Sequence, residues 1–288
     1  MAATLTTLQR RGMRFPWPRF IALVVLGVLW AAPVVWMFLT SLKPEKQIIR
    51  MPPRWLPDNI TDLTLENYRL VLFFPRGVDL MTSFMNSLMV ALIGTILVVI
   101  VDVLAGYALA RLKFRGRNLI FAMVVASMIV PGEIMLIPNY ITVWRFGWLN
   151  QFTALVLPAL AGGFGVFLLR QFMLGIPREL EEAAQLDGCN SFRILTSVIL
   201  PTARGAVATL GIFTFLGFWN DFTWPYLVIN EATKMTLPVA LIQFKGDYFS
   251  NYGQLMAGAA VSALPAITVF LLAQRMIIQS ITLTGIKG

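Results

Sequence analysis

Long apolar runs constrain this chain more than anything else in it. They cover approximately residues 20–42, 81–110, 118–140, 152–174, 205–229 and 253–278, each at or above the roughly 20 residues that a helix needs to cross a bilayer core. Inside hydrocarbon such a run satisfies its backbone polar groups by winding into a helix. The expected fold class is therefore all-α: a polytopic membrane protein of about six transmembrane helices, with residues 1–288 forming one membrane domain. Composition agrees, since only 13% of residues are charged against about 25% in an ordinary soluble domain. The net charge of +9 is then a property of the loops and gives no sign of nucleic-acid binding.

The chain has one cysteine, Cys189, and no histidine. A single cysteine builds no intrachain disulfide framework. Without histidine the commonest general base and transition-metal ligand is missing, which weakens haem, zinc-hydrolase and Ser-His-Asp readings alike. No metal site is expected.

The first 19 residues carry Arg10, Arg11, Arg14 and Arg19 and no acid. The charge pattern is that of a signal peptide, but the apolar run behind it is too long for one, so it reads as a retained first span. Residues 43–79 form the longest link, broken by Pro44, Pro52, Pro53 and Pro57, with a short interfacial helix expected from Thr64 to Tyr68. Arg111, Lys113, Arg115 and Arg117 crowd one tight turn, which reads as a topology determinant and a contact for anionic membrane lipid. Six spans leave both termini on one side. That side, with the 111–117 turn, the 176–204 segment with its flanking Arg170 and the tail with Arg275, holds 14 of the 23 lysines and arginines. The bias predicts that both termini are cytoplasmic.

The 176–204 segment is charged and amphipathic, stranded among spans. Pro177 suits a first helical position, and Glu179, Glu181 and Glu182 complement the helix dipole in the first turn. Gly188 supplies a stop, and Asn190 or Ser191 a cap for a second short helix. On the first helix Leu180, Ala183, Ala184 and Asp187 share a face. The two alanines make part of it flat enough for a partner's surface to approach, with Glu182 beside it to meet a cation. An ordinary amphipathic interfacial helix is the alternative on these grounds.

The same residues resemble the EAA loop of ABC-importer permeases, E-A-A-x-x-x-G followed after nine residues by I-x-L-P. Glu182, Ala183, Ala184, Gly188, Leu200 and Pro201 match at that spacing, with Val198 where isoleucine is usual. Phe218–Pro225, Ala257–Pro265 and the end Gly285-Ile-Lys-Gly288 are similar to carbohydrate-importer permeases of the MalG type, so the resemblance covers essentially the whole chain. It implies an ATPase-coupling role for Glu182, Ala183, Ala184, Asp187, Gly188, Leu200 and Pro201, and an ATPase contact in the tail at Gly285, Lys287 and Gly288. The implied partners are a second, MalF-like permease, a pair of ABC ATPase subunits and an extracytoplasmic solute-binding protein. ATP and Mg would be bound by the ATPase, leaving this chain without a cofactor. Indeed the sequence contains no G-x-x-x-x-G-K-[ST] phosphate loop.

Three acids fall within spans, where a charge is costly unless it faces protein or water. Asp221, flanked by Trp219, Asn220 and Trp224, suits either a sugar on the translocation path or a structural hydrogen bond to a neighbouring span. Glu133, after Pro131-Gly132, either lines a cavity at broken helix or sits near the external interface. Asp102 reads as a structural partner of Arg111 or as facing cytoplasmic water.

The expectation is thus a transport subunit, not an enzyme, in a bacterial or archaeal cytoplasmic membrane, importing a sugar, oligosaccharide or polyol by alternating access. The same machine carrying glycerol phosphate, an amino acid or a peptide is the alternative. A secondary transporter fits less well, because no internal repeat is visible. An intramembrane enzyme would have only three scattered acids as its catalytic set.

Overall fold

The computed structural model describes residues 17–73, 78–242 and 251–285, with side chains described as far as Gln274. Every regular element among them is helical. In chain order these are α1 (Trp17–Ser41), α2 (Glu45–Ile48), α3 (Glu66–Phe73), α4 (Leu80–Arg111), α5 (Arg117–Ser127), α6 (Gly132–Arg145), α7 (Phe152–Val156), α8 (Gly163–Leu174), α9 (Glu179–Leu186), α10 (Ser191–Ile194), α11 (Leu200–Asn220), α12 (Thr223–Val228), α13 (Leu237–Ile242) and α14 (Tyr252–Gly285).

The axis of the bundle is α4, which packs against α8, α11 and α13. Close approach to α8 depends on Gly106: a β-carbon there would lie 3.1 Å from the Leu169 side chain and 3.3 Å from the Arg170 backbone. Small residues at such crossings bring two backbones together where lipid supplies no hydrophobic drive. At the edge, α1 packs along α14 and leaves Leu23, Leu29 and Trp30 exposed.

Among the described residues four helices are long and apolar enough to cross a membrane, or six if each of two bent pairs counts as one span. The departures from the expected spans lie at prolines and glycines. The third span is not one helix over 118–140. It is α5 and α6, bent by 103°, with Pro131 capping α6; the 11 residues of α5 cover only ~16 Å at 1.5 Å each. In the fourth span a 3-10 turn, Leu157–Ala161, follows α7, and the chain bends by 44° into α8. There Gly162 is extended (φ −67°, ψ 134°).

The fifth span begins earlier than expected. Helix is continuous over Ser191–Asn220, so residues 191–204 belong to it and not to a separate loop. Pro201 does not end this helix. Its ring would clash with the carbonyl four residues back, and it donates no hydrogen bond. The chain answers with a π turn at Leu195–Ile199, in which the Leu200 N–H reaches the Leu195 carbonyl. The helix then stops at Asp221, whose ψ of 120° is extended, short of the expected 229. The last helix runs on through Gly285, past the expected end at 278.

The opposite end of the bundle is tied by polar contacts. Glu45 accepts the Tyr252 and Gly253 N–H groups at the start of α14, at 3.0 and 2.8 Å. Asn67 donates to the Ser41 and Lys43 carbonyls. Lys43 is itself buried, which pushes its pKa below the ordinary lysine value, and its ammonium reaches the Arg54 carbonyl at 2.5 Å. Asn150, in a left-handed conformation (φ 58°), accepts from the Asn230 and Glu231 N–H groups.

Candidate functional site: a docking loop and a membrane cavity

The loop helix α9 is fixed to the bundle from beneath. The Glu181 carboxylate lies 3.0 Å from Arg111 Nε, with side-chain exposures of 12% and 3%. Arg111 also donates from Nη2 to the Met173 and Ile176 carbonyls at the end of α8. One guanidinium therefore joins the ends of α4 and α8 to the loop. Beside it Ala184 packs into a core with Tyr107, Leu169, Met173, Ile194, Ile199 and Leu210.

The turn between α9 and α10 is fully hydrogen-bonded. Cys189 N–H bonds the Ala184 carbonyl at 2.9 Å and Gly188 N–H the Gln185 carbonyl at 3.0 Å. With Gly188 left-handed at φ 80°, this is the Schellman arrangement that ends helices at glycine. The next helix is capped by Asn190, whose side chain accepts the Arg193 N–H at 2.9 Å; Ser191 is the first helical residue.

The expected flat face is split. Glu181 and Ala184, three residues apart, form the inner stripe of α9, while Leu180, Glu182, Ala183 and Asp187 are exposed. Ala184 thus belongs to the bundle side. The helix also starts two residues later than expected, with Arg178 at the cap and Pro177 before it. Leu200 is half-buried and Pro201 exposed, both on the continuous helix. Two further residues complete the outer surface: Leu186 is 89% exposed and Phe192 68%. Both are apolar groups exposed on a charged loop. Leu186 lies at helical spacing from Ala183, a signal legible in the sequence; Phe192 becomes visible only once the turn is in place. Gly285 is the last described residue; Lys287 and Gly288 lie outside the described residues.

A second feature lies within the membrane-spanning part. A cavity of about 280 Å³ opens between α4, α8 and α11, lined among others by Asp102, Phe164, Gly165, Thr214, Phe218 and Asp221. Asp102 is 2% exposed, and its Oδ1 has no hydrogen-bond partner. It does not pair with Arg111. Nine residues along a helix are two and a half turns, so the two side chains leave α4 on opposite faces and Arg111 turns to Glu181.

Of the residues expected near a solute, only Asp221 lines this cavity. It accepts the Trp224 N–H at 3.3 Å. Trp219 is core: 1% exposed, it donates to the Ser262 carbonyl at 3.0 Å and packs on Phe84 and Phe215. Trp224 donates to the Ala154 carbonyl at 2.8 Å. Asn220 is exposed and bonds back to the Leu216 carbonyl. Glu133 is exposed in the first turn of α6, away from the cavity. Among the described residues no group of His, Cys, Asp and Glu is arranged to hold a metal.

A bundle of long apolar helices with an exposed helix-turn-helix held at one end fits a membrane transport subunit. The chain belongs to the family of binding-protein-dependent transport system inner membrane components, whose pattern matches residues 102–283; it is a multi-pass permease subunit, not an enzyme. It is similar to the arabinooligosaccharide transport permease AraQ of Bacillus subtilis, 32% identical over 92% of this chain and 93% of that one. It is also similar to the sn-glycerol-3-phosphate transport permease UgpE of Brucella suis, 30% identical over 91% and 94% of the two chains. Among solved structures it superposes on a chain of a bacterial ABC transporter that imports the acidic polysaccharide alginate. That match has a TM-score of 0.79 and 23% identity, covering 91% of this chain and 95% of that one.

Proposed function

We propose that this chain is one of two permease subunits of an ATP-driven importer for an oligosaccharide or related polyol, docked through residues 178–199 on a separate ATPase. The observation that carries this reading is the two-sided loop. Glu181, Arg111 and Ala184 fix it to the bundle, while Glu182, Ala183, Leu186 and Phe192 stand free on the outside. An element that only lay in the headgroups would have no need of a buried ion pair.

The mechanics follow from the connections. ATP and Mg, held by the pair of ATPase subunits, close that pair, and the docked loop moves with it. Arg111 passes the displacement to the ends of α4 and α8, and the unbroken helix from Ser191 passes it to α11. Those three helices line the cavity, so one motion at the loop rocks the path between outward- and inward-facing states. The second permease supplies the other half of the path, and an extracytoplasmic binding protein delivers the solute. In this reading both termini are cytoplasmic, and Gly285, Lys287 and Gly288 are candidates for contact with the ATPase.

Saccharide as the solute class draws support from the likeness to AraQ. The comparable likeness to UgpE favours a phosphorylated polyol as the second reading. Reconstituting the chain with its genomic neighbours and measuring ATP-dependent uptake of arabinotriose, glycerol 3-phosphate, an amino acid and a peptide tests both. Saccharide uptake that depends on ATP and on Glu182 is the expected result. Uptake of only an amino acid or a peptide would remove the carbohydrate assignment.

A further inference from the structure

The walls of the cavity between α4, α8 and α11 have a consistent chemistry. Two carboxylates, Asp102 and Asp221, and the Thr214 hydroxyl supply acceptors, Phe164 and Phe218 supply aromatic surface, and among the described residues no lysine or arginine lines it. From Leu210 to Asp221 the α11 wall extends ~16 Å at 1.5 Å per residue, so the groove is long enough to meet more than one sugar ring. Its volume of about 280 Å³ falls just below the ~300 Å³ lower end for ligand sites, as expected of one half of a site.

Asp102 is the telling residue. A buried carboxylate with an unpartnered oxygen is costly unless a ligand or water satisfies it. The fold nevertheless makes room for it: a β-carbon at Gly165 would stand 1.9 Å from Asp102 Oδ2. Arg111 lies on the other face of α4 and bonds elsewhere. Among the described residues nothing hydrogen-bonds Asp102 Oδ1.

We infer that this cavity is a solute-contacting surface that accepts neutral, hydroxyl-rich solutes and rejects anionic ones, with Asp102 and Asp221 accepting hydroxyl hydrogen bonds. The inference rests on the permease reading above and narrows its substrate class. Hydroxyl groups donate to carboxylates in charge-assisted bonds, and sugar C–H faces lie against aromatic rings. A phosphate, sulfonate or uronate in the same groove meets two like charges in a low-dielectric wall with no cation to offset them. Solutes of the kind named for UgpE and for the alginate importer are therefore excluded.

Gly217 reports on the groove directly, because it lines the cavity and a side chain there meets open space. In the assembled transporter, Gly217→Cys with Cys189→Ser would be titrated with hydroxyethyl and with sulfonatoethyl methanethiosulfonate. The neutral reagent should react roughly tenfold faster or more, arabinotriose should slow it, and Asp102→Asn with Asp221→Asn should remove the difference. In uptake assays either asparagine variant should raise the apparent KM for arabinotriose roughly tenfold, at wild-type complex yield. Equal reaction rates for the two reagents, or digalacturonate carried as fast as arabinotriose, would overturn the inference and leave the importer standing. ATP-driven uptake of only an amino acid would instead remove the saccharide reading while the charge selectivity at position 217 survived. A merely structural Asp102 would lower complex yield without moving the KM or the reagent preference.

Discussion

Glu181 and Arg111 are 70 residues apart in sequence and 3.0 Å apart in space, and the adjacent Glu182 points the other way, into solvent. Two neighbouring carboxylates thus divide the work of the loop. One holds it to the membrane bundle and the other, in the proposed function, is left for a partner.

Removing Glu181 strands a buried guanidinium. Breaking one side of such a pair costs about 3–5 kcal/mol, so Glu181→Ala should loosen residues 178–190, seen as faster amide exchange there than in α4. Arg111→Lys should resemble it, because a lysine cannot serve two carbonyls and a carboxylate in one plane.

Glu182→Lys should leave the isolated subunit as stable as before, since the side chain is exposed. Its effect belongs to docking: roughly tenfold or more weaker co-purification of the ATPase, measured on detergent-solubilised complex. Instability of the isolated Glu182→Lys subunit would mean the two glutamates do not divide the work as proposed.

At Gly188 the backbone is left-handed (φ 80°) and a side chain would have space, so the penalty is conformational, about 1–2 kcal/mol for an L-residue. Gly188→Val should impair coupled ATPase activity more than Gly188→Asn, because asparagine tolerates that conformation and valine does not.

Gly165→Ala should push Asp102 out of place, costing about 1–3 kcal/mol through overpacking. Asp102→Ala in the same chain should recover much of the loss in thermal stability, since the clash is with the carboxylate itself. Independent, additive losses in the double variant would contradict this contact.

Trp219→Ala should cost about 3–5 kcal/mol as a core cavity and reduce the yield of folded protein. Asp221→Ala should leave yield intact and change uptake. The two positions, adjacent enough to read alike in sequence, should therefore separate cleanly in expression and transport assays.

Spans and loop end were legible in the sequence because they rest on local physics. Apolar runs mark where the long helices lie, glycine and asparagine set the turn at 188–190, and each acts whatever its neighbours are. The bend at Pro131 and the π turn before Pro201 were harder. Proline announces that regular helix is disturbed there, but whether the chain stops, kinks or absorbs the disturbance depends on the packing on either side. Facing was harder still. Glu181 and Glu182, or Trp219 and Asp221, have the same sequence environment, and helical phase relative to the bundle separates anchor from contact and core from cavity. That phase is fixed only when α4, α8 and α11 close together, for burial is a property of the assembled helices. The sequence by itself determined that this chain crosses a membrane and carries a charged helix and turn at residues 179–190. Tertiary structure alone decided that Arg111 serves the loop, and that Asp102, on the opposite face of the same helix, is left to the cavity.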